Sequence, residues 1–230
     1  MKLVINADDF GYTPAVSAGI VEGVRQGIIR STTVLCNVPD LETTRELART
    51  CPKLRLGVHL TLTLGTSLTG GASFTDAEGR FLSRADIVSQ PLDEHEVYTE
   101  WKAQIDRFID VFNTQPTHLD SHHSVHDMNE AMLRITQKLA QEYELPVRRG
   151  SAYRFVTGFF GPSATRETLI QILSEHLNED IEIMTHPGFC DLKLYRESSY
   201  NWQRLQELDV LCSSEVQSFI SKQGIDLAHY

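Results

Sequence analysis

The sequence predicts an α/β fold in which a parallel sheet closes into a barrel. Apolar, strand-like runs alternate with helix-like segments along the whole chain, and this alternation favours parallel strands joined by helical crossovers. The number of such units, about seven, is typical of a barrel. No linker, internal repeat or low-complexity tract interrupts the 230 residues. We therefore expect residues 1–230 to form a single domain.

The predicted strands are short runs rich in Leu, Val, Ile and Thr. The first run, residues 3–5, has no polar alternation, which is typical of a strand buried on both faces. Polar side chains follow it at once, and Gly11 gives the chain the freedom to turn there. In chain order, strands are predicted at residues 3–5, 31–38, 54–62, 117–122, 146–148, 181–185 and 225–227.

The predicted helices show apolar residues at helical spacing between recognisable ends. In residues 93–112, for example, Val97, Trp101 and Ile105 fall on one side of a helix. Thr13, followed directly by proline, is a good N-cap for the first helix. In chain order, helices are predicted at residues 14–26, 40–51, 93–112, 129–143, 165–177, 200–208 and 214–222.

Two segments show no clear period. Residues 63–91 are rich in glycine and turn formers, with a short strand pair predicted around Phe74 and Phe81. Long irregular segments of compact domains are often functional. Because this one follows a strand that carries His59, we interpret it as a lid or a substrate loop. Residues 154–162 are aromatic and glycine-rich, and their pattern predicts no element.

Composition and charge exclude some classes of function. A net charge of −10 and a pI near 5.3, with no basic stripe, argue against nucleic-acid binding. The four cysteines are scattered without Cys-x-x-Cys spacing, which predicts neither a zinc knuckle nor a redox pair. There is no signal-peptide pattern and no apolar run as long as a membrane span, so we expect no membrane partner. These features together lead us to expect a cytoplasmic protein.

Polar residues recur in or just after predicted strands. Asp8 and Asp9, then His59, then the histidine-rich residues 118–126, and finally His186 each occupy such a position. The carboxyl ends of parallel strands meet at one edge of a sheet or barrel, and active sites are built there. The spacing therefore predicts that these side chains gather at one rim.

The residue types at this rim suit a metal ion. One carboxylate and two imidazoles form a common open site that leaves positions for water and substrate. Our candidate ligands are Asp9, His59 and His122. The alternatives at this point are an aspartate pair that only forms a turn, and histidines that are hydrogen-bonded structural residues.

Four motifs along the chain resemble a known family. They are NADDFG at residues 6–11, GVHL at 57–60, THLDSHHSVH at 117–126 and THPG at 185–188. In this order and combination they resemble the YdjC/ChbG family of carbohydrate deacetylases, which is similar to the NodB-type deacetylases. The resemblance implies an irregular (β/α) barrel, TIM-barrel-like in outline. One departure is Ser124, at a position where the family often has a third consecutive histidine.

The resemblance also implies an activity and roles for individual residues. Members remove acetyl groups from N-acetylated oligosaccharides such as chitooligosaccharides and diacetylchitobiose, sometimes as the 6-phosphate. By position, Asp9, His59 and His122 would hold a divalent metal ion, Mg²⁺ or Zn²⁺. Asp8 would be the catalytic base and His186 the acid. The family further implies a small oligosaccharide as partner and a homodimer.

Other assignments stay open at this stage. Arg148, Arg149 and His126 are candidates for substrate binding, and ordinary surface positions are the alternative for all three. Two other functions fit a histidine-rich rim: a different metal-dependent hydrolase, such as a phosphoesterase or amidase, and a sugar-binding protein without catalysis.

Overall fold

Seven strands form one curled sheet whose pairs are all parallel. The computed structural model describes every residue from Met1 to Tyr230. Its strands are β1 (Lys2–Phe10), β2 (Ser31–Val34), β3 (Arg55–Leu60), β4 (Leu119–Ser121), β5 (Arg154–Val156), β6 (Ile181–Thr185) and β7 (Asp226–Ala228). Their order is β4-β3-β2-β1-β6-β5, and β7 also pairs with β1. The predicted irregular (β/α) barrel is confirmed.

The irregularity lies between the two ends of this order. β4 and β5 do not pair with each other, so the strands curl into a barrel that backbone hydrogen bonds leave open on one side. At this opening the strand predicted at residues 146–148 is reduced to a single bridge between Val147 and Leu119. The fifth strand of the sheet is instead β5. It lies in residues 154–162, for which the sequence pattern predicts no element.

Nine helices cover the sheet, and the first begins at the cap that the sequence predicts. They are α1 (Pro14–Gln26), α2 (Leu41–Arg49), α3 (Arg84–Ser89), α4 (Glu94–Phe112), α5 (Glu130–Tyr143), α6 (Arg166–Glu175), α7 (Leu192–Glu197), α8 (Trp202–Cys212) and α9 (Ser214–Gln223). The Thr13 side chain caps α1 by accepting from the N–H of Val16, and Asp93 caps α4 in the same way. None of these helices has the length and apolar character that crossing a membrane requires.

The apolar core lies between the sheet and these helices. Leu3, Val4 and Ile5 of β1 are fully buried, as expected for a strand covered on both faces. Trp101 and Phe108 of α4 are buried as well, on the side of the helix that the periodicity predicts. This packing makes the strands a rigid support for the side chains at their ends.

The irregular segment 63–91 is tied to the body of the protein. The buried Glu100 of α4 accepts hydrogen bonds from the Ser67 hydroxyl at 2.6 Å and from the N–H groups of Leu68 and Thr69 at 3.0 and 2.9 Å. Hydrogen bonds to a carboxylate are stronger than those between neutral groups. The segment is therefore fixed along much of its length.

Local structure within this segment agrees in part with the prediction. Thr75 bridges Phe81, which confirms the short strand pair, and α3 adds a helical turn that was not predicted. Only three of its residues reach the large cavity described below, namely Thr63, Leu64 and Arg84. The interpretation as a substrate loop applies to these residues alone.

Buried His118 gives the fold a defined pH dependence. Its ring stacks on Tyr230 with 3.9 Å between centroids, and its Nε2 has no hydrogen-bond partner. Burial lowers the pKa of His118 from 6.5 to about 3. Between these values the unfolded chain binds a proton here that the folded chain does not. We therefore expect the free energy of unfolding to fall, by up to about 1.4 kcal/mol per pH unit, as the pH drops through this interval.

Urea unfolding of the wild type and of His118→Phe between pH 7 and pH 4 measures this contribution. The phenylalanine keeps a ring against Tyr230 but cannot titrate, so its stability should depend less steeply on pH. Carboxylates titrate in both proteins, so their contribution to the pH dependence of the free energy of unfolding cancels when the two are compared. Equal slopes for the two proteins would show that His118 does not contribute.

Candidate active site

A cavity of about 830 Å³ opens at the carboxyl ends of the strands. Parallel sheets and barrels place ligand sites at this edge. The cavity is lined by all five residues predicted to form the reaction centre: Asp8, Asp9, His59, His122 and His186. The predicted convergence at one rim is therefore observed.

An irregularity at the end of β1 turns two consecutive carboxylates toward this cavity. Side chains alternate between the two faces of a regular strand, so Asp8 and Asp9 would normally point in opposite directions. Asp9 instead has a φ of 72°, in the left-handed region, and the pairing of β1 with β2 shifts register between Ala7 and Phe10. Such backbone strain is uncommon outside glycine and often marks functional sites.

Two imidazoles meet one oxygen of Asp9. The His59 Nε2 lies 3.2 Å from Asp9 Oδ1, and the His122 Nδ1 lies 2.9 Å from the same oxygen. The ligand atoms of these three residues all lie within 4.8 Å of one another. Because β4 ends at Ser121, His122 stands on the first residue of the following turn rather than on the strand.

Neighbouring residues orient His59 for this contact. Its Nδ1 donates to Asp120 Oδ1 at 2.6 Å, and the Thr33 hydroxyl lies 3.1 Å from the same nitrogen. An imidazole that donates from one nitrogen to a carboxylate presents the other as a metal ligand, as in many metal sites. Burial lowers the pKa of His59, but Asp120 and Asp9 outweigh burial and raise it to about 10. The two carboxylates beside His59 therefore favour a positive charge at this place in the site.

A second group of possible ligands, Asp8 with His59 and Asp120, is less suited to a metal. Arg148 already binds both of these carboxylates. It donates to Asp8 through two parallel hydrogen bonds of 2.8 Å, and its Nη2 lies 2.8 Å from Asp120 Oδ2. A second cation between these carboxylates would face the buried guanidinium. The donor set of Asp9, His59 and His122 fits a divalent ion better.

The three candidates for substrate binding lie elsewhere. Arg148 is 2% exposed, and its Nε–H donates to Glu182, so each of its three nitrogens bonds to a protein carboxylate. Arg149 pairs with Asp127 at 2.7 Å, and His126 is buried with its Nδ1 2.6 Å from a serine hydroxyl. None of the three lines this cavity, so its geometry does not support the predicted substrate contacts, which stay predictions. The alternative prediction for Arg148, an ordinary charge on the protein surface, is wrong, because the side chain is buried.

Arg204, on α8, holds the other oxygen of Asp9. Its Nη2 donates to Asp9 Oδ2 at 2.6 Å and leaves Oδ1 to the imidazoles. Burial alone raises the pKa of Asp9, but His122 and Arg204 outweigh it and hold the pKa well below its usual value. Sequence reasoning missed Arg204, because an arginine in a helix far along the chain carries no signal of this contact.

His186 follows β6 in a loop packed against α1. The Phe189 N–H donates to Ala15 O at 3.2 Å, and a Cβ on Gly19 would lie 2.4 Å from the Phe189 nitrogen, so only glycine permits this approach. The His186 Nδ1 is buried without a partner. Burial lowers the pKa of His186 to about 4, against the opposing effect of Asp8 and Asp9. The imidazole is therefore neutral at neutral pH.

Taken together, these contacts allow hydrolytic chemistry. Two imidazoles and a carboxylate suit a divalent cation, and a second carboxylate is held rigidly beside them. A neutral imidazole follows β6, the strand that pairs with the strand of both carboxylates. A group of possible metal ligands with a further carboxylate and an imidazole is typical of sites for metal-assisted hydrolysis.

Comparisons with known proteins agree with this chemistry. Residues 2–222 match the family model described as YdjC-like protein. A carbohydrate deacetylase from Clostridium beijerinckii is 36% identical across 100% of this chain and 99% of its own length. One from Enterococcus faecalis is 38% identical across 100% of this chain and 97% of its own length.

Solved structures give the same picture of the fold. A proposed cellobiose-phosphate cleavage protein from Enterococcus faecalis has a TM-score of 0.93 at 36% identity and covers 100% of this chain and 97% of its own. A family 4 carbohydrate esterase from Streptomyces lividans, in complex with acetate, has a TM-score of 0.58 at 11% identity over 98% of this chain and 90% of its own. The second likeness concerns the fold alone.

Proposed function

This chain belongs to the YdjC-like protein family and is a carbohydrate deacetylase, and from that premise we propose that it removes N-acetyl groups from oligosaccharides with a divalent metal ion. Asp9, His59 and His122 would hold the ion. The observation that carries this proposal is the approach of two imidazole nitrogens to one oxygen of a buried carboxylate. Mg²⁺ and Zn²⁺ are the candidate ions, and the imidazole ligands favour Zn²⁺.

Such an ion would address the two difficulties of amide hydrolysis. Bound here, a divalent cation is a Lewis acid that polarises a carbonyl and makes water more acidic. The protein contributes the orientation of the ligands. Asp120 fixes the ring of His59, and Arg204 fixes the carboxylate of Asp9.

Asp8 is the proposed general base. Its carboxylate lines the cavity, and the two hydrogen bonds from Arg148 together with one from Asn6 at 2.9 Å hold it in a single orientation. Each carboxylate oxygen has two lone pairs, so these bonds leave acceptor capacity for the attacking water. A base held within hydrogen-bonding reach of its proton needs no reorganisation during the reaction.

His186 is the proposed acid for the leaving amine. Because the pKa of His186 is about 4, the imidazole must take up a proton before it can donate one. The proton that Asp8 removes from water would pass to His186, which follows the neighbouring paired strand β6. The amine nitrogen would then receive it from His186, and the C–N bond breaks with a neutral leaving group.

The substrates we propose are chitooligosaccharides such as diacetylchitobiose, with or without a 6-phosphate. Support for the phosphorylated form comes from Arg84, which lines the cavity and has no carboxylate within 4.0 Å. The Enterococcus faecalis neighbour is itself connected with a sugar phosphate. The cytoplasmic location and the homodimer stay predictions.

Acetate release from N-acetylglucosamine oligomers, with and without 6-phosphate, tests the proposal. We expect acetate from the metal-loaded protein, loss of release after chelation, and recovery when Zn²⁺ or Mg²⁺ is restored. Release of phosphate without acetate would indicate the rival phosphoesterase. Sugar binding with no product at all would indicate the rival binding protein.

The acid role of His186 predicts a dependence on the leaving group. His186→Ala should slow cleavage of an N-acetyl sugar about 100-fold, because the amine must leave protonated. Cleavage of 4-nitrophenyl acetate should change little, since nitrophenolate leaves without a proton. Steady-state rates on both substrates provide the measurement. Equal slowing of the two reactions would remove His186 from this role.

A further inference from the structure

Phe160 is a large aromatic side chain left half exposed at the active-site cavity. Its exposed fraction is 50%, and its ring lines the cavity near His186 and Tyr200. Scattered exposed apolar residues are normal on protein surfaces. An exposed aromatic ring within a ligand cavity is different, since such cavities use aromatic side chains as contact surfaces.

Tyr200 covers one face of the Phe160 ring, while half of the side chain stays exposed. Phe160 stacks on Tyr200 with 4.6 Å between centroids and 15° between planes. His186 lies almost equally far from both rings, 5.6 Å from Phe160 and 5.5 Å from Tyr200, and it is tilted steeply to each. A ring equidistant from two stacked rings lies beside the stack. The outer face of Phe160 is therefore not covered by His186.

The platform formed by Phe160 and Tyr200 is rigid. The Tyr200 hydroxyl donates to the buried Glu207, and it accepts from the N–H of Gly161 at 2.8 Å. Tyr200 thus holds both the ring of Phe160 and the backbone that follows it. A contact surface fixed before binding loses little conformational entropy when a ligand arrives.

We propose that the outer face of Phe160 stacks against the pyranose ring of the substrate, beside His186. This inference rests on the proposed function and specifies how the sugar binds. The C–H groups on one face of a pyranose form an apolar surface with slight positive charge, which complements the negative face of an aromatic ring. A sugar ring held there would lie next to the imidazole that protonates its amine nitrogen.

The contact predicts an effect on binding rather than on turnover. With the N-acetylglucosamine oligomer that the wild type cleaves fastest, Phe160→Ala should raise KM about threefold to tenfold, the usual value of one aromatic stacking contact. It should change kcat by less than about twofold. Phe160→Trp, which offers a flat ring of larger area, should keep KM near the wild-type value.

Tyr195→Ala is the matched control. Tyr195 is exposed to a similar extent, 56%, but does not line the cavity, so its variant should keep both constants. Inhibition by acetate should be equal in wild type and Phe160→Ala, because acetate has no ring to stack. An unchanged KM in Phe160→Ala, or an equal rise in Tyr195→Ala, would overturn the inference while the wild type still releases acetate. A wild type that releases no acetate would overturn the proposed function itself.

Discussion

Asp8→Asn should keep its metal ion and lose turnover. The amide has nearly the shape of the carboxylate but cannot accept a proton from water, so we expect kcat to fall about 10²-fold to 10⁴-fold. The ligands Asp9, His59 and His122 are unaltered, and metal analysis should still find one ion per chain. Acetate release and metal content measured on the same preparation test both parts of this prediction.

Asp40→Asn is a suitable control for the change from carboxylate to amide. Asp40 caps α2 at the surface, and asparagine caps helices equally well, so activity should be unaffected. Because Asp8→Asn also removes a partner from Arg148, its thermal unfolding should be recorded to confirm that the protein is folded at the assay temperature. Metal loss in Asp8→Asn equal to that in Asp9→Asn would show that Asp8 also holds the metal, which would contradict its assignment as the base alone.

His122→Ala should abolish metal binding and activity together. Removing one of three ligands leaves Asp9 and His59 as the only protein donors, which is too few for a stable site. We expect less than about one tenth of an equivalent of metal after dialysis, and a fall in kcat/KM of at least about 10³-fold, since the Lewis acid is lost. Elemental analysis and acetate release give the two quantities.

The neighbouring histidine provides the control for this experiment. His123 also lines the cavity, but its Nδ1 bonds to the Thr63 hydroxyl at 2.9 Å and it stands outside the ligand group. His123→Ala should therefore retain its metal. Loss of metal from His123→Ala, with retention in His122→Ala, would show that the wrong histidine has been assigned.

The fold was predictable where local patterns decide it. The periodicity of residues 93–112 and the cap at Thr13 depend on nearby residues, and the structure has helices there. Strand β5 was not predictable, because Arg154–Val156 gains its structure from pairing with β6, a contact between distant parts of the chain. The opposite error concerns residues 146–148, which were predicted to form a strand. They form only one bridge, because strand formation there also depends on pairing with distant parts of the chain.

The candidate metal ligands could be predicted from the sequence. The arginines that hold the site's carboxylates in place could not. Asp9 and His59 lie at the carboxyl ends of β1 and β3, and His122 follows β4. The rule that parallel strands share one carboxyl edge is enough to bring them together. Arg204 comes from a helix with no such signal, whereas Arg148 ends a segment that was predicted as a strand. The burial of both arginines against carboxylates depends on the packed barrel. Arginine in a sequence indicates a surface charge first, which is why substrate contact and surface exposure were the alternatives considered for Arg148.

The central claim, one cation shared by three residues, is tested most directly by diffraction from a zinc-loaded crystal at the zinc absorption edge. We expect a single anomalous peak at about 2.0–2.2 Å from Asp9 Oδ1, His59 Nε2 and His122 Nδ1. A peak between Asp8 and Asp120, or none within reach of His122 in protein that releases acetate, would contradict the claim.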